Sequence, residues 1–125
     1  MIDLVTYKWL HLVGVFLIVM SFGSLIFRSA SGAETQIFSK RKLSIAHGIG
    51  MLLSLVGGFG MLARLGISHG DWPSWVSVKF GIWLSLGLLI AAVNRSPLRA
   101  ATWWWLILLL VMSAAYLGLN HSVIG

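Results

Sequence analysis

The sequence predicts an all-α integral membrane protein, a four-helix transmembrane bundle with both termini on the non-cytoplasmic side. Three observations predict it. The chain is 58% hydrophobic and only 10% charged, with a mean hydropathy of +0.93; a soluble domain carries roughly 25% charged and 45–50% apolar residues. Four apolar runs each reach the roughly 20 residues that a bilayer demands. The basic residues gather on alternate connections, and that asymmetry sets an orientation.

The first run covers 4–27. Lys8 lies near its start and Ser29-Ala30-Ser31-Gly32-Ala33 follows it, as in a signal peptide. Its apolar stretch exceeds the roughly 7–15 residues of a signal sequence's apolar region, so a retained span is expected. The second run covers 43–63, the third 75–93 and the fourth 101–119. Hydrocarbon offers no water to satisfy the backbone, so each run is expected to be a helix. Together they make one transmembrane domain over 1–125, with no clear internal repeat and no low-complexity segment.

The connections differ in charge. Segment 28–42 holds Arg28, Lys40, Arg41 and Lys42 against one acid, Glu34, and segment 94–100 holds Arg95 and Arg99. The opposite side has Lys8 and Arg64 beside Asp3 and Asp71. The richer side is expected to be cytoplasmic, which describes a multi-pass protein of the cytoplasmic (inner) membrane. Trp103, Trp104 and Trp105 then fall at the inner interface, and Trp9, Trp72 and Trp75 at the outer one. The net charge of +6 comes from short loops, so the bilayer is the expected partner and nucleic acid is not. The absence of cysteine excludes disulfides and thiolate chemistry.

Ionisable residues inside a span are expensive and point to function. Lys79 lies roughly 6 Å below the outer end of the third run, and His11 roughly 10 Å into the first, at 1.5 Å per residue. His47 lies near the inner end of the second run, which puts it roughly 14 Å from His11 along the membrane normal in a ~30 Å core. That separation argues against one ion shared by both. His69, His121 and Arg64 fall on the outer side with His11 and Lys79. Each has a plainer reading as well: Lys79 can snorkel to the headgroups, and a lone histidine is often just hydrogen-bonded to a neighbouring helix.

Gly14, Ile18 and Ser21 share the face of His11. Gly14 leaves either a gap for a flat macrocycle or a close helix contact. In the second run His47, Gly50, Ser54, Gly57, Gly58 and Met61 follow helical steps and form a small-residue stripe. Such stripes serve tight packing within or between subunits, and a homodimer through this one is expected.

Several chemistries are excluded. No acid lies inside a span, which disfavours proton-coupled cation export. No nucleophile–base set converges, and no phosphate-binding glycine loop is present. Zinc wants three or four close ligands, and the outer histidines supply three only if the 65–74 connection folds inward. A histidine inside a four-helix bundle suits haem, which bundle cores commonly hold through axial histidines. Lys79 and Arg64 would then neutralise the two haem propionates, or Lys79 would ligate the iron as a neutral amine.

Three short segments carry a family resemblance. Lys8-Trp9-Leu10-His11-Leu12-Val13 resembles the opening of the first helix in the HemJ-type protoporphyrinogen oxidases. Arg41-Lys42-Leu43 resembles the start of their second helix, and Trp75-Val76-Ser77-Val78-Lys79 the start of their third. CopD-like and SirB-like membrane proteins share the bundle plan. The resemblance implies a four-helix membrane bundle, often dimeric, that binds haem b. Its important histidine and lysine match His11 and Lys79. It further implies oxidation of protoporphyrinogen to protoporphyrin, with electrons passing to quinone. The family's first helix ends in Pro-Arg followed by aromatics and a histidine. Here Gly23-Ser24-Leu25-Ile26-Phe27-Arg28 stands instead, and only Arg28 matches. The haem site is thus the closer part of the likeness.

The leading expectation is a HemJ/CopD-like haem b protein in electron transfer or porphyrin metabolism. His11 is the expected axial ligand, with Gly14, Lys79 and Arg64 around the cofactor. His121 or His69 would supply a second metal ligand, and His47 only at a separate site or across a dimer. One alternative is a copper transporter or permease using His11 with Met20, Met51, Met61 and Met112. Another is a cofactor-free assembly subunit.

Overall fold

A computed structural model describes residues 3–31, 39–67, 70–95 and 100–120. They form four helices: α1 (Leu4–Ser31), α2 (Lys40–Arg64), α3 (Ser74–Arg95) and α4 (Ala100–Leu119). All four are long and apolar enough to cross a membrane. The shortest has 20 residues, which spans about 30 Å. Each expected run is a helix. The helices overrun the apolar counts most at Ser31 and Lys40, because helix ends follow capping and not hydropathy.

The caps are visible in the sequence once the ends are known. Asp3 opens α1: its Oδ1 accepts from the Thr6 backbone N–H at 2.8 Å, and its carbonyl accepts from Tyr7 at 3.2 Å. The Thr6 hydrogen bonds hold the exposed Asp3 carboxyl below its ordinary value. Ser39 opens α2 by accepting from Lys42 N–H at 3.2 Å. Gly66, with φ +77°, closes it: Gly66 N–H bonds Ala63 O at 3.2 Å and Ile67 N–H bonds Leu62 O at 3.0 Å. This is the Schellman pattern, which needs the left-handed conformation that glycine adopts freely. Asn120 ends α4 by donating backbone and side-chain N–H groups to Tyr116 O at 2.9 and 3.1 Å.

The most extensive contact joins α1 and α2, and it runs antiparallel. A Cβ on Gly57 would collide with the His11 backbone, one on Gly60 with the Tyr7 ring, and one on Gly14 with the backbone of Ser54. A Cβ on Gly50 would lie 2.7 Å from Gly14 O. The small residues thus bring the two backbones into contact. Gly50 and Gly57 of the α2 stripe are used within the chain, against α1.

The apolar core lies toward the far end of α1. Ile18, Phe22, Leu25, Ile26, Leu43, Met51, Leu86, Val93 and Ile107 are all buried there. Outward-facing positions carry Trp9, Phe16, Met20, Ile49, Leu52, Leu88, Leu109 and Met112, all exposed. An apolar core inside an apolar exterior is what a lipid solvent permits and water does not.

Candidate functional site: a histidine–lysine pocket at the Asp3 end

The start of α1, the end of α2, the start of α3 and the end of α4 meet at one end of the bundle. Between them is a partly open cavity of about 280 Å³, lined by residues of all four helices and by Trp72 of the α2–α3 connection. Its size is just below the roughly 300–1,000 Å³ typical of small-molecule sites.

His11 is on its wall. The close approach of α1 to α2 puts His11 Nδ1 2.8 Å from Ser54 O. A carbonyl can only accept, so Nδ1 carries the proton and donates. In the neutral ring Nε2 then holds the available lone pair. This is how many metal-bound histidines are oriented, by a hydrogen bond from the other ring nitrogen. The Ser54 hydroxyl turns back to its own helix and donates to Met51 O at 2.9 Å. Gly58 lies beside the imidazole, where a Cβ would make ordinary contact at 3.5 Å from His11 Nδ1.

Lys79 lines the same cavity and is partly buried. Its ammonium reaches α4, where a Cβ on Gly118 would lie 2.6 Å from Nζ. Lys8, three residues before His11, is exposed and also lines the cavity. Among the described residues no acid does so.

One wall is aromatic. Phe59 meets Trp72 at 5.8 Å between ring centroids, Trp72 meets Phe80 at 5.6 Å, and Phe80 stacks on Trp83 at 5.5 Å and 20°. Trp83 is fixed in turn by its indole N–H, which donates to Met51 O at 3.0 Å. The rings pack on one another and make that wall apolar.

The site therefore brings together two of the expected residues, His11 and Lys79. Gly14 is a correction: the α2 backbone fills the space where its side chain would be, leaving no gap for a macrocycle. Arg64 is exposed in the last turn of α2, close enough to Asp3 to lower its carboxyl slightly, and it does not line the cavity. His47 is buried elsewhere. It donates from Nε2 to Leu86 O at 3.2 Å and meets the Phe22 ring edge-on at 4.7 Å. It sits seven residues from Ser54 on α2, about 10 Å along the helix, so it shares no ion with His11. His69 and His121 lie outside the described residues.

Among the described residues no three His, Asp or Glu side chains gather as a metal cluster. Of the four methionines considered with copper, only Met61 lines the cavity; Met20 and Met112 face outward and Met51 is in the core. The sequence reading missed Lys8, Phe59, Phe80, Trp83 and Gly118. Phe80 and Trp83 were findable, since they lie three residues apart on one helix face. Comparison with protein-family models, with curated proteins and with solved structures found no match.

Proposed function

We propose that this chain is a haem b-binding protein of the cytoplasmic membrane, working in electron transfer or porphyrin oxidation, with the Asp3 end of the bundle on the outer side. The observation that carries the reading is the His11 imidazole, fixed by Ser54 O with the Nε2 lone pair left available, in an aromatic-walled pocket. One such nitrogen suffices for haem iron, because the porphyrin supplies the other in-plane ligands. A bare zinc or copper ion needs several protein ligands at once. The donor at His11 and the apolar, aromatic-rich lining suit an apolar cofactor.

In this reading His11, held by Ser54 O, would hold the iron, and Phe59, Trp72, Phe80 and Trp83 would give the cofactor apolar surroundings. When bound, the haem supplies one-electron chemistry, and a quinone in the bilayer is the proposed acceptor.

The test is a comparison of wild type and His11→Ala, purified after haem-replete expression. Loss of the haem absorption bands in the variant, with the protein still folded by circular dichroism, supports the assignment. An unchanged spectrum in His11→Ala sinks it.

A further inference from the structure

The half of the bundle away from His11 holds a second, smaller cavity. There the later part of α1 and the earlier part of α4 leave an apolar groove of about 90 Å³ between them. Its floor, at Phe22, Ile26 and Ile107, is buried, and its rim, at Trp104 and Leu108, is exposed. The groove therefore opens on the surface that faces lipid. Gly23 lies in it. Unlike Gly14, Gly23 is not demanded by a helix contact: a Cβ there would make ordinary contact with the Trp104 ring at 3.6 Å. Glycine is a poor helix former, and here its missing side chain enlarges the groove. Packed proteins leave few voids unfilled, and the filling at hand is an acyl chain.

The same end is cationic. Arg28 lies at the end of α1, Lys40, Arg41 and Lys42 at the start of α2, and Arg95 at the end of α3. The described acids, Asp3 and Asp71, belong to the other end. Of the two helices that wall the groove, α4 carries no basic residue, and α1 carries Lys8 at the far end and Arg28 at this one. Arg28 is two residues beyond Ile26, about 3 Å along the helix. The N-terminus of α4 adds partial positive charge at this end.

We infer that the groove is a site for one anionic phospholipid, with an acyl chain between α1 and α4 and the headgroup phosphate held by Arg28. An apolar groove alone accepts any lipid. The charge at its end selects an anionic head, through charge-assisted hydrogen bonds from guanidinium to phosphate. Lys40, Arg41, Lys42 and Arg95 add a general attraction to anionic lipid. The site is remote from the His11 pocket and independent of haem.

The test is native mass spectrometry of the full chain, purified in detergent and stripped of lipid. It is titrated with dioleoyl phosphatidylglycerol or dioleoyl phosphatidylcholine, which share their chains and differ in net charge. One phosphatidylglycerol should bind per chain, about tenfold or more tightly than phosphatidylcholine, the lower end expected for hydrogen bonds to charged groups. Arg28→Gln should remove most of that preference. Gly23→Leu, which fills the groove, should abolish the saturable first binding step. Arg64→Gln, at the opposite end, and Gly48→Leu, where a Cβ meets nothing within 4 Å, should leave both unchanged. Equal affinity of the wild type for the two lipids, or uptake of many lipids without a saturable first step, overturns the inference. So does a preference that survives Arg28→Gln, or a first step that survives Gly23→Leu. A dimeric mass that Gly23→Leu dissociates and lipid leaves alone would give the groove to a second copy, and overturns it too. The two lipids are compared on unaltered protein, so a variant that fails to fold does not decide the outcome.

Discussion

His11 and Ser54 are joined across the most extensive helix contact among the described residues: the imidazole Nδ1–H donates to the Ser54 carbonyl at 2.8 Å. The bond exists because glycines on both helices let the backbones touch. A packing feature of α1 and α2 thereby sets the orientation of the one histidine on the pocket wall among the described residues.

The glycines at that contact should therefore be intolerant of side chains. Gly57→Ala and Gly14→Ala each place a Cβ against backbone, which cannot rotate away. Destabilisation of about 1–3 kcal/mol is expected, the range for overpacking. Gly48→Ala is the control, since a Cβ there meets nothing within 4 Å; it should be neutral or slightly stabilising. Thermal unfolding in detergent measures all three, and equal melting of Gly57→Ala and Gly48→Ala would contradict the contact.

The α2–α3 contact depends on two hydrogen bonds running in opposite directions, His47 to Leu86 O and Trp83 to Met51 O. Trp83→Phe keeps most of the ring and removes the donor, so about 1 kcal/mol of stability should be lost. His47→Leu should also destabilise, with no change in any ligand spectrum, because His47 is remote from the pocket. A spectral change in His47→Leu would bring that residue back as a ligand.

The Asp3 cap should make the start of α1 sensitive to acid. Its folded carboxyl titrates below the ordinary value of 3.8. The cap's contribution is therefore complete above that value and is lost as pH falls through the lower folded value. Protection of the Thr6 and Tyr7 amides, as exchange rate relative to the intrinsic rate at the same pH, should fall in that window. Asp3→Asn keeps a capping oxygen without the charge and should remove this loss of protection. A loss of protection in the same window that persists in Asp3→Asn would assign the effect to another group.

Orientation is open to direct test because the chain has no cysteine. A single cysteine at Gly70 should react with a membrane-impermeant maleimide from outside intact cells. One at Lys40 should react only after the membrane is opened. The reverse pattern would invert the topology and place the pocket on the cytoplasmic side.

The helices were legible in the sequence because lipid imposes one simple rule on each apolar run. Ser39 and Gly66 could have refined their ends, since a cap is a local pattern. The shared depth of His11 and Lys79 followed from counting residues at a fixed rise. The rotation of each helix about its axis did not, and that is what separates Lys8, on the wall, from Arg64, off it. It also decides that Gly14 meets backbone. Mean apolar content gives helix rotation little to work with when core and exterior are both apolar. Trp72 and Trp75 looked like interfacial anchors for the same reason, and the structure puts both on the pocket wall.

The most direct measurement is the absorption spectrum of the purified wild-type protein, oxidised and dithionite-reduced, with a pyridine haemochrome assay after haem-replete expression. The account predicts a Soret band, sharp reduced α and β bands and a haem b haemochrome. A colourless protein prepared in that way would contradict it.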